Sequence, residues 1–384
     1  MRVLLHIGQS KTGTSAIQAF LTLNRQKLRE MGVLYPAVKV RGMPVNLGAH
    51  NAVSDALVGK LRFPNLTADQ YFQQIFEEVD RMNANLLILS AEHFFAGEPR
   101  TWEVADEAEY FKIYQQKVER LAGYLKGHDV SILVYLRPQI DWLSSAVSQT
   151  IRIDRLISDK QIYRNDRQFF ELMKPLLKYA TLLDVWARTI RPSSFIVIPY
   201  DRKTLIKNSS IADFLHRAGL ENTVFPYAST DIQVNESLTR EYIEVKKILN
   251  GHRRTKNEER VIIRCLERLS KSSNKGTRYT LDAGVQRDVE SFVSSENERL
   301  NRQYQTDGLV FVARSEGQHR EQKSLTDDDV ARAMDAFQRE YRRPRYKLLW
   351  LNFATRAFLR AYAKPVQAAL HQVKMAYLNM KYRN

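Results

Sequence analysis

Three features of the 384-residue chain predict an α/β fold with helices on both faces of a parallel sheet. Apolar runs without polar alternation, which strands buried on both faces require, recur as NLLILS (Asn85 to Ser90), VSILVYL (Val130 to Leu136) and SFIVI (Ser194 to Ile198). Helical patterns separate them. A fourth run, Val3 to Ile7, ends in a turn rich in Gly, Lys, Thr and Ser that passes directly into an apolar-periodic helix.

In chain order, Val3 to Ile7 is the first expected strand, and Ser15 to Met31 the first helix, which Gly32 ends as a C-cap. Residues 36 to 51 hold two prolines and two glycines and read as a loop. Long helices are expected at Tyr110 to Leu125 and Phe169 to Ile190, and from 236 to 340 the chain reads as helical and charged. The last 44 residues, Tyr341 to Asn384, carry ten Lys or Arg and no Asp or Glu, with Val366, Leu370, Val373, Tyr377 and Met380 at helical spacing. Such a basic amphipathic helix suits an anionic membrane surface, or docks on the domain or a second subunit. The expected division is an α/β domain over 1–335 and a basic helical extension over 336–384. Oligomeric state is not legible.

The formal charge of +16, with 44% hydrophobic and 27% charged residues, fits a soluble protein that attracts anionic ligands. One cysteine, Cys265, leaves no intramolecular disulfide and no multi-Cys metal site. No His/Asp/Glu spacing calls for a metal, and no RNA-binding aromatic signature, helix-turn-helix pattern or zinc finger supports a nucleic-acid partner. Val3 to Ile7 is too short for a signal peptide core or a membrane span, so a cytoplasmic location is expected, with no room for the anchor and stem of a Golgi-resident enzyme.

The turn reads Gly8-Gln9-Ser10-Lys11-Thr12-Gly13-Thr14-Ser15. A Walker A loop places its lysine after the second glycine, whereas Lys11 precedes Gly13 by two. The physics is shared: free N–H groups and the positive end of a helix dipole favour an anion. Hydroxyls of Thr12, Thr14 and Ser15 add hydrogen bonds and Lys11 a mobile charge. Lys11 to Ser15 resembles, at all five positions, the 5′-phosphosulfate loop of sulfotransferases that use PAPS (3′-phosphoadenosine 5′-phosphosulfate). The resemblance implies a P-loop-like doubly wound domain, PAPS as cofactor with PAP as product, and no metal.

Two further stretches extend the resemblance. Arg137 ends an apolar strand and Ser145 follows eight residues later in the next helix, the spacing with which such enzymes hold the 3′-phosphate. Ser144 and Ser148 are alternatives. The segment Asn274 to Asp282 is similar to a lid that closes on the nucleotide in glycan sulfotransferases. There Lys275, Gly276, Tyr279 and Asp282 fit, while Thr277 and Thr280 replace an expected Arg and Pro. Lys275 and Gly276 are thus cofactor-ligand candidates, with an ordinary polar loop as the other reading.

Sulfuryl transfer needs a positive group for the leaving phosphate, the role of Lys11, and a base for the acceptor's proton. Ser90-Ala-Glu92-His93-Phe-Phe95, just after a strand, resembles the Glu-x-x-Phe-Phe neighbourhood that supplies a carboxylate base in heparan-type enzymes, one residue shorter in spacing. Glu92, expected to be ionised, is the first base candidate, His93 the second, and His50 in the loop Gly48 to Asn51 the third. A salt bridge from Glu92 to Lys11 or Arg137 is the structural alternative. Gly32-Val-Leu-Tyr-Pro36, Arg137 with Trp142 and Gln149, and Asn235-Glu-Ser-Leu238 resemble bacterial members. Trp142 is expected to pack. The expectation is a carbohydrate sulfotransferase acting on a glycan or glycolipid of a bacterial cell surface, at the inner membrane face. A P-loop kinase with an atypical loop, and a non-enzymatic basic protein that binds nucleic acid or membrane, are the alternatives.

Overall fold

Burial on both faces dictates the sheet. Strand β1 (Arg2–His6) has Val3, Leu4 and Leu5 buried in succession, which alternation toward solvent would not permit. The structure is a computed structural model that describes residues 1–37, 39–40, 43–44, 48–61, 65–157, 162–226, 238–252, 254–273, 278–304, 325–347 and 349. Its further strands are β2 (Val33–Leu34), β3 (Lys39–Val40), β4 (Met43–Pro44), β5 (Leu86–Ser90), β6 (Asp129–Leu136) and β7 (Ser194–Pro199). Five form one sheet in the order β2-β5-β1-β6-β7, with every pairing parallel.

Two apolar layers sandwich this sheet. Leu4, Ile88 and Leu133 face the helix Thr14–Leu23, through Ile17, Phe20 and Leu21, and the helix Ser210–Arg217, through Ile211 and Phe214. Val3, Leu5, Leu87, Leu89, Ile132 and Val134 face the other way. There the helices Glu107–Tyr124, Gln139–Ile157 and Tyr179–Ile190 contribute Tyr114, Val118, Leu143, Val147, Leu182 and Trp186. Because all five strands are parallel, their carboxyl ends share one edge, where ligands of such folds bind. Four side-by-side strands bring His6, Ser90, Leu136 and Pro199 to that edge.

The structure departs from the sequence-based expectations at several points. The first helix is two, Thr14–Leu23 and Arg25–Glu30, parted at Asn24, whose side-chain amide donates to the Phe20 carbonyl. Gly32 then adopts φ 73°, the left-handed conformation that follows a helix end. The helix expected over Phe169 to Ile190 is also two, Asp166–Leu177 and Tyr179–Ile190, broken at Lys178 with Pro175 just upstream. Proline supplies no N–H to the ladder, which loosens that turn. Within the expected loop 36–51, β3 and β4 pair antiparallel.

The region from 236 onward is helical as expected where it is described, in the helices Arg240–Asn250, Lys256–Ser272, Ala283–Gln303 and Asp327–Tyr341. The boundary expected at 335/336 falls inside the last of these. Its Ala333 and Phe337, together with Tyr346, are buried in the main core, so the chain is continuous with the domain there. The amphipathic stretch Val366 to Met380 lies outside the described residues. Among those described, no helix is long and apolar enough to cross a membrane.

The helices Arg240–Asn250 and Lys256–Ser272 are tied by a fully buried ion pair, Lys246 Nζ to Glu259 Oε2 at 2.9 Å. Removing Lys246 leaves the buried Glu259 carboxylate with only a more distant cation among the described residues, Arg254 Nη1 at 3.9 Å. We expect Lys246→Met to lose about 3–5 kcal/mol in urea unfolding, and Lys246→Met/Glu259→Leu to recover most of it, because the double change removes both desolvated charges.

Candidate functional site

The loop after β1 is built around one side chain. Gln9 is fully buried; its Nε2 donates to Tyr179 Oη at 2.6 Å and its Oε1 accepts from the Arg137 backbone N–H at 2.8 Å. Tyr179 Oη in turn donates to the Arg137 carbonyl at 2.9 Å. This closed ring of three residues joins the β1 loop, the end of β6 and the helix Tyr179–Ile190. On the loop's other side, Trp142 packs as expected and also donates its indole N–H to Ser10 Oγ at 3.3 Å.

Inside the loop, Thr12 Oγ1 donates to the Gln9 carbonyl at 2.6 Å and Thr14 Oγ1 to the same oxygen at 3.3 Å. Both threonines are buried, so their hydroxyl protons brace the turn instead of pointing outward. Ser15 is half-buried, at the start of the helix Thr14–Leu23. Gly13 has φ 79°, and a Cβ there would lie 2.6 Å from Ser210 Oγ, so only glycine lets the loop pass the helix Ser210–Arg217. Lys11 also adopts the left-handed conformation, with φ 70° and no glycine's freedom.

Charge converges at this edge. Burial, and then the charges of Arg152 and Arg137, pull the Lys11 ammonium down to about 8, with Glu92 opposing them. Burial likewise lowers Arg137, Asp141 opposes, and Arg278 lowers it further. Arg152 lies on the helix Gln139–Ile157 with its Nη1 held by Glu267 Oε1 at 2.7 Å. Ser145 is half-buried on that same helix; Ser144 donates to its own helix, to the Ile140 carbonyl at 2.8 Å, which leaves Ser145 the more available hydroxyl. Gln149 is half-buried one turn beyond Ser145.

The end of β5 supplies the other half. Glu92 opens the short helix Glu92–Phe95, and burial pushes its carboxyl up while His93, when protonated, and Lys11 hold it down. The sequence led us to expect an ionised Glu92 in a basic pocket; the structure adds burial as an opposing cause. His93 Nδ1 meets Asp55 Oδ1 at 2.7 Å. His50 is placed differently. Its Nδ1 accepts from the Ser90 N–H at 3.0 Å, so its Nε2 carries the hydrogen and donates to the Pro36 carbonyl at 3.1 Å. Burial lowers its pKa to about 4, and with both nitrogens engaged it cross-links strand ends and has no lone pair for a substrate proton.

Lys275 and Gly276 lie outside the described residues. Their neighbours are anchored: Tyr279 Oη donates to Asp166 Oδ1, and the Asp282 N–H to Asp166 Oδ2 at 3.0 Å. Arg278 bridges to Thr239 and is exposed. Asn297 exchanges amide hydrogen bonds with Gln139, at the start of the helix that follows Arg137.

Sequence reasoning missed Gln9, Tyr179, Arg152, Arg278 and Asp55. Only Arg152 carried a signal, standing at i+7 from Ser145 and thus on its face of the helix. No protein-family model, curated protein or solved structure matches the chain. Fold and site together define an α/β protein whose parallel sheet carries a cationic carboxyl edge beside a carboxylate and an imidazole.

Replacing Gln9 strips the Arg137 N–H of its acceptor. Gln9→Leu is expected to cost about 1–3 kcal/mol in urea unfolding, the penalty for an unmet buried donor.

Proposed function

We propose that the chain is a sulfotransferase that moves a sulfuryl group from PAPS to a hydroxyl or amine of a glycan or glycolipid. The observation that carries this reading is the convergence of Lys11, Arg137 and Glu92, which come from three different strand ends and are coupled through Lys11. The donor set fits a nucleotide with phosphates at both ends. Lys11, the Gly13 turn and the N-terminus of the helix Thr14–Leu23 hold the 5′ end, and Arg137 with Ser145 the 3′-phosphate. Arg278, one position past the Thr277 that stands where the glycan sulfotransferases it resembles carry arginine, adds positive charge at the 3′ corner.

PAPS supplies an activated sulfuryl group whose leaving group is the 5′-phosphate of PAP. Lys11 neutralises negative charge developing on that phosphate, a purely electrostatic contribution. The acceptor's proton passes to Glu92 or His93 at the end of β5, with the carboxylate first in reach of Lys11. Gln149 and Arg152, further along the helix that carries Ser145 away from Arg137, offer a polar surface for an acceptor. Under this reading the basic tail holds the enzyme beside an anionic inner membrane face, where a lipid-linked acceptor resides.

A thermal-shift titration tests the reading. PAP without Mg²⁺ should raise the melting temperature, by about 2.7 kcal/mol of stabilisation at a hundredfold excess over its Kd. ADP should do clearly less, and Arg137→Ala should erase the difference. If ATP with Mg²⁺ stabilises and PAP does not, the loop belongs to a kinase-like protein instead.

The same site predicts a pH dependence. Lys11 is charged below its lowered pKa and neutral above it, so PAP affinity should hold below pH about 8 and fall as pH rises through that value. In Lys11→Met the affinity should be lower than wild type below that pH and that fall absent, so the two converge at high pH, as read by calorimetric titration.

A further inference from the structure

The segment after β5 is clamped from several sides, and the clamp singles out one nitrogen. The His93 N–H donates to Asn51 Oδ1 at 3.2 Å, and its carbonyl accepts from Lys117 Nζ at 3.0 Å. The same ammonium donates to the Glu98 carbonyl at 2.9 Å. A Cβ at Gly97 would lie 2.6 Å from His93 Cγ, so the chain folds tightly over the ring. The imidazole's Nδ1 rests 2.7 Å from Asp55 Oδ1, a carboxylate with 0% side-chain exposure, while the His93 side chain keeps 17%.

A carboxylate accepts, so Nδ1 carries the hydrogen and, in the neutral ring, the lone pair lies on Nε2, which makes no hydrogen bond among the described residues. Glu92, by contrast, has no hydrogen bond among the described residues to fix its carboxyl. Building on the sulfotransferase reading, we propose that Asp55 is a positioning residue that fixes the tautomer of His93, and that His93 Nε2 rather than Glu92 is the base. In the step, the acceptor's oxygen or nitrogen forms a bond to sulfur as the bond from sulfur to the 5′-phosphate oxygen breaks. The acceptor's proton moves to Nε2, and the electron pair of the broken bond stays on the phosphate beside Lys11. The charge on the imidazolium is then opposed by Asp55 at Nδ1 and by the neighbouring Glu92.

The charged groups around His93 come from every neighbouring element. Asp55 lies on the helix Asn51–Leu57, Lys117 on the helix Glu107–Tyr124, and Glu92 on its own helix; Glu98 is paired with Lys60 at 3.0 Å and Arg100 at 2.9 Å. Burial draws Lys117 down to about 7, with Asp55 and Glu98 opposing. Its two carbonyl acceptors hold it in place in either protonation state.

Nitrogen-15 NMR of histidine-labelled protein tests the tautomer without any turnover. The wild type should show His93 protonated at Nδ1, and Asp55→Asn should shift it toward Nε2. Turnover is read as PAP release from PAPS with water as the acceptor. His93→Ala should lower it about 100-fold, with recovery on adding imidazole. Asp55→Asn should lower it comparably while the PAP thermal shift stays intact. Should His93→Ala fail to fold, His93→Gln, which retains a donor toward Asp55, takes its place without the rescue arm. An unchanged tautomer in Asp55→Asn overturns the positioning role. Loss of turnover in Glu92→Gln with His93→Ala unaffected assigns the base to Glu92 and overturns the proposal. If the wild type neither binds PAP nor releases it from PAPS, the sulfotransferase reading fails and the base assignment falls with it, while the NMR result still reports on the contact between Asp55 and His93.

Discussion

The ring of hydrogen bonds among Gln9, Tyr179 and the Arg137 backbone is the constraint on which the carboxyl edge depends. A buried amide side chain satisfies the first main-chain donor beyond β6, and a phenol satisfies the carbonyl of the same residue. Neither group has water to fall back on. Two loops that could move independently are thereby held as one body, and the separation between Lys11 and Arg137 becomes a property of the core. Under the proposed reading, a nucleotide gripped at both ends by those residues meets a span already set, so little ordering cost remains at binding.

The electrostatics of the edge lean the other way from its packing. Lys11 and Arg137 are each held in surroundings that disfavour their charge, and each feels another cation, Arg152 in one case and Arg278 in the other. The chain as a whole adds +16. Cations crowded in this manner make the unliganded edge less favourable than its parts, and an arriving polyanion relieves both the desolvation and the mutual repulsion. Glu92 tempers this locally without cancelling it.

How much of this was legible in the sequence depended on how local each cause was. Buried parallel strands announce themselves because every position must be apolar, and β5, β6 and β7 were read to within a residue or two. Strand β2 was not, since two residues cannot show a pattern. Helix breaks at Asn24 and Lys178 escaped notice because the apolar period runs through both. Lys11, Gly13, Arg137 and Glu92 stood out by their place at the ends of apolar runs. Gln9 and Tyr179 did not, for they lie 170 positions apart and their pairing exists only once the fold brings them together. The same holds for Asp55 and His93, separated by 38. His50 shows the converse error, a histidine in a polar loop that the fold turns inward as a cross-link between main-chain segments.

Lys11 sits in a backbone conformation that suits glycine or asparagine better than a long side chain. Selection for thermal robustness alone therefore pushes this position toward smaller residues that relax the turn, and in doing so deletes the charge at the centre of the edge. Stability-guided engineering of this chain would drift toward a sturdier and emptier loop. Position 11 is thus where foldability and chemistry make opposite demands, and a library meant to improve the protein should hold it fixed.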